Sequence, residues 1–395
     1  MSRFSSVVWL LGLISLLADI SSELLYPVLP VYLRDAGYSM VALGMLEGIS
    51  NVIAGLSKGY FGHLSDRTGH RHRFVRWGYG LSSFGKLLLL GSPDLIRVFL
   101  SRAVDRLGKG VRSSPRDVLL AAEATPDSSA AVFGFHRAMD TLGAAIGPAI
   151  ALVWLNVHPG DYTSVFLLAF IPSALSLLVT FFVRDRTSDI PAVSKPATGF
   201  FGYFSYWQQS GKEYRRLLRP LILLAIVNSP DAFLLVAVKE AGASDVEMIG
   251  VYMVYNLVYA LLSTPVGIIA DKMGKMKVLI AAIALFSMTY AGMSLHPDLY
   301  RCYALFILYA IAVSGMESVV KAIISSRAPS GERGQALGFY ASASSIGSLF
   351  AGFWAGSLWH FSGAGLVFAI TAGIASCVAL KMMADAMAER RKKLT

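Results

Sequence analysis

Gly62-His63-Leu64-Ser65-Asp66-Arg67-Thr68-Gly69-His70-Arg71 and Gly267-Ile268-Ile269-Ala270-Asp271-Lys272-Met273-Gly274-Lys275 are two copies of one pattern. Each copy has a glycine, an acid four residues on, a base beside the acid and a second glycine. The copies stand about 205 residues apart. At the same offset Arg34-Asp35-Ala36-Gly37-Tyr38-Ser39 answers to Lys239-Glu240-Ala241-Gly242-Ala243-Ser244, and Asn51 to Asn256. Slipped by one residue, Pro93-Asp94 falls on Pro297-Asp298, Gly134-Phe135 on Gly338-Phe339 and Gly143 on Gly347. So many matches at one spacing mark an internal duplication with the same elements in the same order.

Outward from the two loops the chain is apolar in long runs, at 7–31, 41–61, 74–91, 95–118, 131–154 and 164–183, then 218–238, 247–269, 277–295, 300–326, 335–359 and 364–384. A hydrocarbon core about 30 Å thick takes about 20 residues per helix, so these are twelve spans, six to each copy. The runs are too long and too evenly apolar for the alternating strands of a barrel. Composition agrees: 55% of the 395 residues are hydrophobic and 15% charged, against roughly 25% charged in a soluble domain. Mean hydropathy is +0.58. Disorder, collagen-like repeats and a disulfide scaffold are excluded, since Cys302 and Cys377 are the only cysteines and both sit in apolar runs. The first run holds Asp19 and Glu23, is too long for a signal peptide and precedes no small-residue cleavage site, so it reads as a mature helix.

The net charge of +10 follows from topology. Arg67, Arg71, Arg73, Arg76, Arg184, Arg186, Lys212, Arg215, Arg216, Lys272, Lys275 and the tail Arg390-Arg391-Lys392-Lys393 all fall in one alternate set of loops. The other set is short and mildly acidic. Positive loops stay in the cytoplasm, which predicts an inner-membrane, multi-pass protein with both termini cytoplasmic and no nucleic-acid partner. Residues 186–217 read as a cytoplasmic linker between halves 1–185 and 218–395. Its Phe200, Phe201, Tyr203, Phe204, Tyr206 and Trp207 belong either to a helix lying aromatic side down in the interface or to an irregular loop. Six helices repeated in parallel imply two bundles related by an axis along the membrane normal, a geometry that can rock about a central site.

The loop pattern resembles the signature G-x-L-a-D-r-x-G-r-k of the major facilitator superfamily, and the duplicated pattern, the span count and the repeat extend the resemblance over the whole chain. The fold it implies is an all-α membrane protein of twelve transmembrane helices in two pseudo-symmetric six-helix bundles. The resemblance also implies that Gly62, Asp66, Arg67, Gly69, Arg71, Gly267, Asp271, Lys272 and Gly274 stabilise one of two alternating states. Glycine permits a tight turn and close helix approach, and Asp66 can accept from a neighbouring helix N-terminus. In the fifth span Gly143-Ala144-Ala145-Ile146-Gly147-Pro148 is similar to the G-x-x-x-G-P core of drug–proton antiporters, with Ala151 where the fuller motif has glycine. Plain small-residue packing explains the same residues.

Charges inside the spans cost about 2.5–3.5 kcal/mol each on insertion scales, so they line water or pair. Asp19 and Glu23 share a helix face above Pro27 and Pro30, and are the expected proton-coupling pair; the other reading pairs one of them with an arginine of the fourth span. That span carries Arg102, Asp105, Arg106, Lys109, Arg112 and Arg116. Arg102 matches the family's R-x-x-Q-G motif, with Asp105 and Arg106 at its Gln and Gly positions. Arg102 and Arg106 are expected either to balance Asp19, Glu23 or Asp105 and meet substrate, or to form a structural ion-pair ladder. Tyr26, Asn228, Asp231 and Glu317 complete the expected substrate set. Arg112 and Arg116 with Glu317 and Lys321 are expected inner-gate pairs, and Arg34/Asp35 with Lys239/Glu240 an outer latch. His136, Arg137, Asp140, Glu47 and Lys86 rank below these.

His63, His70 and His72 lack the Cys or carboxylate partners of a metal site, no phosphate-loop motif exists, and no nucleophile–base set marks an enzyme, so no cofactor is expected. The expected function is secondary transport of a small organic solute by a monomer in lipid. Proton-coupled antiport of drugs or amphipathic metabolites, hence efflux, leads. Proton-coupled uptake of an anionic nutrient or metal chelate comes second, and a non-transporting receptor of the same fold is the third reading.

Overall fold

A computed structural model describes residues 4–26, 28, 29, 32, 40–90, 95–183, 199–229 and 231–392. Lipid offers no hydrogen-bond partner to a backbone, so a spanning segment must satisfy its own N–H and C=O groups. Among the described residues the regular structure is accordingly helical: α1 Ser6–Leu25, α2 Met40–Thr68, α3 Arg71–Leu87, α4 Leu95–Ala122, α5 Ser129–Val157, α6 Tyr162–Thr180, α7 Tyr206–Gln209, α8 Lys212–Val227, α9 Asp231–Glu240, α10 Asp245–Met273, α11 Lys275–Ser294, α12 Leu299–Arg327, α13 Arg333–Ser362 and α14 Ala364–Lys392, with short 3-10 turns at Gly202–Ser205 and Ser330–Glu332. Setting aside the one-turn α7 in the linker and taking α8 and α9 as one broken span, the described helices number twelve, one for each apolar run.

The structure adds three details to the sequence reading. The first copy of the loop pattern is mostly helix. Gly62 to Thr68 extend α2, and only Gly69 and His70 turn, with Gly69 at φ +70° where a side chain is strained. Gly274, at φ +106°, repeats this in the second copy. Prolines 115, 148, 172, 220 and 265 all sit within helices, but the seventh span does break, between Val227 and Asp231. Finally, the linker aromatics do not all turn to lipid. Tyr203 and Tyr206 are fully buried, Tyr203 against Gly59 of α2, while Phe204 and Trp207 pack on Phe339 of α13. Phe201 remains 61% exposed. Gly59 explains the change, because with no Cβ it leaves a socket for the tyrosine ring.

The chain forms two compact units. Unit 1 is Met1–Thr125, Met139–Gln209 and Ala328–Ser342; unit 2 is Pro126–Ala138, Ser210–Arg327 and Ala343–Thr395. In unit 1, α4 packs on α2 and α3, and α1 on α6, around Leu24, Leu25, Val98 and Phe166. In unit 2, α11 packs on α12 and α14, and α10 on α12, around Phe286, Tyr290, Tyr309 and Phe368. The first turns of α5 cluster with unit 2, and those of α13 with unit 1.

Candidate functional site

Asp66, in the last turn of α2, lies in a buried socket. Its Oδ1 meets Arg71 Nη2 at 3.1 Å, and its Oδ2 accepts the Gln335 N–H at 2.8 Å. Gln335 lies in the first turn of α13, so the acid sits at the positive end of a helix. Close approach is enforced by Gly62, whose Cβ would run into the Gly334 carbonyl. The second copy repeats the device inside unit 2. Asp271 accepts from Ala130 N–H at 3.0 Å and Ala131 N–H at 2.8 Å, at the start of α5, and pairs with Lys275 at 3.2 Å. There Gly267 stands against the Ala130 carbonyl. Arg67 and Lys272 are the bases beside the two acids, each in the last turn of its helix.

A second cluster lies within unit 1. Ser15 of α1 donates to Asp140 of α5, and Asp140 is also the carboxyl nearest Asp19 in charge and hydrogen bonding. Lys109 of α4 is the cation facing Asp19, and Glu23 is the next carboxyl along α1. Arg116 reaches Ser15 at 3.3 Å and pairs with Asp117 at 3.2 Å. The helices can meet so closely because α5 presents Gly143 to Leu16, Asp19 and Ile20, and Gly147 to Ile20, Glu23 and Leu24. Deeper in α4, Asp105 binds Lys86 at 3.0 Å, and Lys86 touches Ser22 at 3.5 Å. Arg102, Arg106 and Arg112 all act electrostatically on Asp105. Arg112 donates to Ser82 and lies 4.2 Å from the centre of the Tyr79 ring.

Unit 2 builds a different surface from tyrosines. Asp231 opens α9 just after the helix break and is exposed. It accepts from Tyr309 at 2.6 Å and also from Tyr255. Tyr255 stacks on Tyr309 with centroids 5.3 Å apart, and Tyr252 and Tyr259 continue the row along α10. Arg137 donates to the Tyr259 hydroxyl at 2.5 Å. Glu317, on α12, is likewise exposed. Asn228 takes the Tyr290 hydroxyl at 3.0 Å.

The superfamily pattern inferred from the duplicated loops is matched directly by sequence: the pattern of the Major Facilitator Superfamily fits residues 11–238 and again 221–393. The chain belongs to the Major Facilitator Superfamily. It is a multi-pass membrane transporter of a superfamily that acts on small molecules, not an enzyme. An uncharacterised MFS-type transporter of Methanocaldococcus jannaschii is 29% identical over 366 residues, 91% of this chain and 90% of that protein. The multidrug resistance protein MdtG of Klebsiella pneumoniae is 24% identical over 362 residues, 89% of this chain and 86% of that one. The human organic anion transporter MFSD10 shares the fold at a TM-score of 0.79 and 16% identity, over 97% of this chain and 100% of its own.

The structure distributes the residues singled out from sequence unevenly. Asp19 and Glu23 share a cluster, but its nearest third member is Asp140, which sequence reasoning ranked low. Arg102 and Arg106 sit with Asp105 and Lys86, while the cation facing Asp19 is Lys109. The spacing 105, 109, 112, 116 on one face of α4 carried that signal. Tyr26 is exposed at the end of α1. Arg112 and Arg116 have their described partners within unit 1, while Glu317 and Lys321 belong to unit 2. Glu240 accepts from Trp359 at 3.3 Å, near Lys239 at the end of α9. Arg34, Asp35, Pro27 and Pro30 lie outside the described residues, as do the side chain of Glu47 and Pro230. The tyrosine row was missed altogether, although Tyr252, Tyr255 and Tyr259 recur at i, i+3 and i+7.

Proposed function

We propose that the protein is a proton-coupled antiporter exporting cationic or amphipathic organic solutes by alternating access across a cell's inner membrane, with both termini cytoplasmic. The observation that carries this reading is the carboxyl pair Asp19–Asp140 seated on Gly143 and Gly147. Two carboxyl groups in hydrogen-bond contact hold one proton between them, and the loss of that proton leaves a net negative site. The helix that brings Asp140 also carries the G-x-x-x-G-P sequence of drug–proton antiporters. Asp231 and Glu317, close to one another beside a row of tyrosine faces, have the chemistry that binds organic cations, since an anionic group and π-faces both attract positive charge. The likeness to a multidrug resistance protein supports the same substrate class.

In this reading Asp66 and Asp271 act as paired latches on the starts of α13 and α5, with Gly69 and Gly274 shaping their turns. Halves 1–185 and 218–395, joined by 186–217, are the moving bodies. Anion uptake rests on the basic face of α4, where Lys86, Arg102, Arg106 and Arg112 outnumber the one carboxylate they surround, Asp105; the Asp19–Asp140 pair and the tyrosine row favour the cation reading over it. Proteoliposome flux under an imposed pH gradient tests the proposal. Accumulation of cationic dyes in exchange for protons is expected. Accumulation of organic anions instead, or binding without flux, overturns it.

A further inference from the structure

Unit 1 carries an open groove that none of the transport machinery uses. It runs between α3 and α6, has a volume of about 420 Å³, and is lined by Arg76, Trp77, Gly80, Phe84, Leu177 and Phe181 among others. A hollow of about 220 Å³ adjoins it at Trp77 and adds Arg73 and His70. Trp77 is 71% exposed, Phe84 55% and Phe181 60%, so the groove's walls face outward from the unit. The lining has an order. Arg73 and Arg76 occupy the first two turns of α3, at the basic-loop end. Phe84 lies two turns deeper than Trp77, about 10 Å along the axis at 1.5 Å per residue.

We propose that this groove binds an anionic phospholipid, with the phosphate at Arg73 and Arg76 and an acyl chain laid along Gly80 and Phe84. Charge complementarity selects the headgroup: among the described residues neither hollow has a carboxylate in its lining, and the acid nearest in sequence, Asp66, is buried against Arg71 and Gln335. Clustered arginines at the end of a span attract anionic headgroups, and an exposed indole there suits the membrane–water boundary. Arg76 is oriented for the task, its guanidinium 5.0 Å from the centre of the Phe181 ring. The apolar length below it distinguishes a lipid from a soluble phosphate, which would use the arginines alone. Gly80 keeps the floor open, because a Cβ there would meet only Leu177, at 3.9 Å.

Native mass spectrometry of the detergent-purified full chain, offered equal dioleoyl phosphatidylglycerol and dioleoyl phosphatidylcholine, tests the site. The wild type should retain one phosphatidylglycerol severalfold more often than phosphatidylcholine. Arg73→Gln with Arg76→Gln should abolish that preference. Gly80→Leu, which fills the groove and keeps both arginines, should weaken retention too, and all variants should melt within the wild-type range in detergent. Equal retention of the two lipids by the wild type overturns the proposal, as does an unchanged preference in the double variant. Displacement of the lipid by millimolar inorganic phosphate would mark a soluble-anion site and overturn it as well.

Discussion

A carboxylate in a poorly solvated interior lowers its cost by facing a cation or by sharing a proton with a neighbour. Asp19 has both means at hand, in Lys109 and Asp140. If the pair carries the transported proton, Asp19→Asn or Asp140→Asn removes the coupling while leaving the dye site intact. In a one-for-one exchange of a singly charged dye for a proton the membrane potential cancels, and each unit of imposed pH difference supplies about 1.4 kcal/mol, a tenfold gradient. Dye accumulation in proteoliposomes should therefore fall by about that factor in either variant, with equilibrium dye binding preserved. Lost binding with retained coupling would assign the residues to the substrate instead. Asp66 offers a separate titration outside the spans. Burial lifts its carboxyl to about 7, with Arg71 and the N–H groups of Gln335 and Gly334 pulling it down. A raised value means that the latched conformer binds the proton more tightly than one with Asp66 in water, near ~3.9. The proton-linked part of the latch is thus complete below about 4 and fades as pH rises through 7. Cysteine accessibility beneath the latch should rise over that window. Asp66→Asn, which keeps an acceptor for Gln335, should flatten the profile.

At the scale of elements, the packing of α1 on α5 decides where the carboxyls can meet. A Cβ on Gly147 would stand 2.6 Å from the Ile20 carbonyl and 2.7 Å from the Leu24 nitrogen, backbone atoms that cannot step aside. Gly147→Leu should cost about 1–3 kcal/mol as overpacking, seen as a lowered melting temperature. Gly80→Ala, with open space around it, should leave stability unchanged or slightly raised. The sequence displayed the twelve spans because lipid imposes a length and a polarity on every one of them. It displayed the Asp66 and Asp271 sockets because the duplication repeats them. It did not display Asp140 as the partner of Asp19, since helix neighbours are set by three-dimensional packing, and Gly143 and Gly147 marked a close contact without naming the helix opposite. The tyrosine row of α10 had a helical spacing, but in so apolar a chain one more aromatic stripe does not stand out. The linker aromatics look membrane-facing on composition alone. Only the Gly59 socket turns Tyr203 inward.

For the whole molecule, the proposed cycle makes the two sockets equivalent latches at corresponding positions of one duplication. Each fixes the start of a helix that changes unit along its length, since α5 passes from unit 2 into unit 1 after Ala138 and α13 from unit 1 into unit 2 after Ser342. Removing the acceptor, as in Asp66→Ala or Asp271→Ala, strips a helix start of its cap, worth about 1 kcal/mol. A change of that size moves a conformer ratio about fivefold. The two sockets share no residue, so their effects should add in free energy and multiply in ratio, giving about 25-fold for the double variant. A single cysteine at Ser114, whose hydroxyl donates to the Lys58 carbonyl at 2.9 Å beside Gly338, reports the opening once Cys302 and Cys377 are replaced. Its labelling by a water-soluble maleimide should speed up in each single variant and by roughly the product in the double. If the double variant labels no faster than either single one, the latches hold one shared contact in series rather than two independent ones. If none labels faster than the wild type, the sockets are structural caps that do not open during transport.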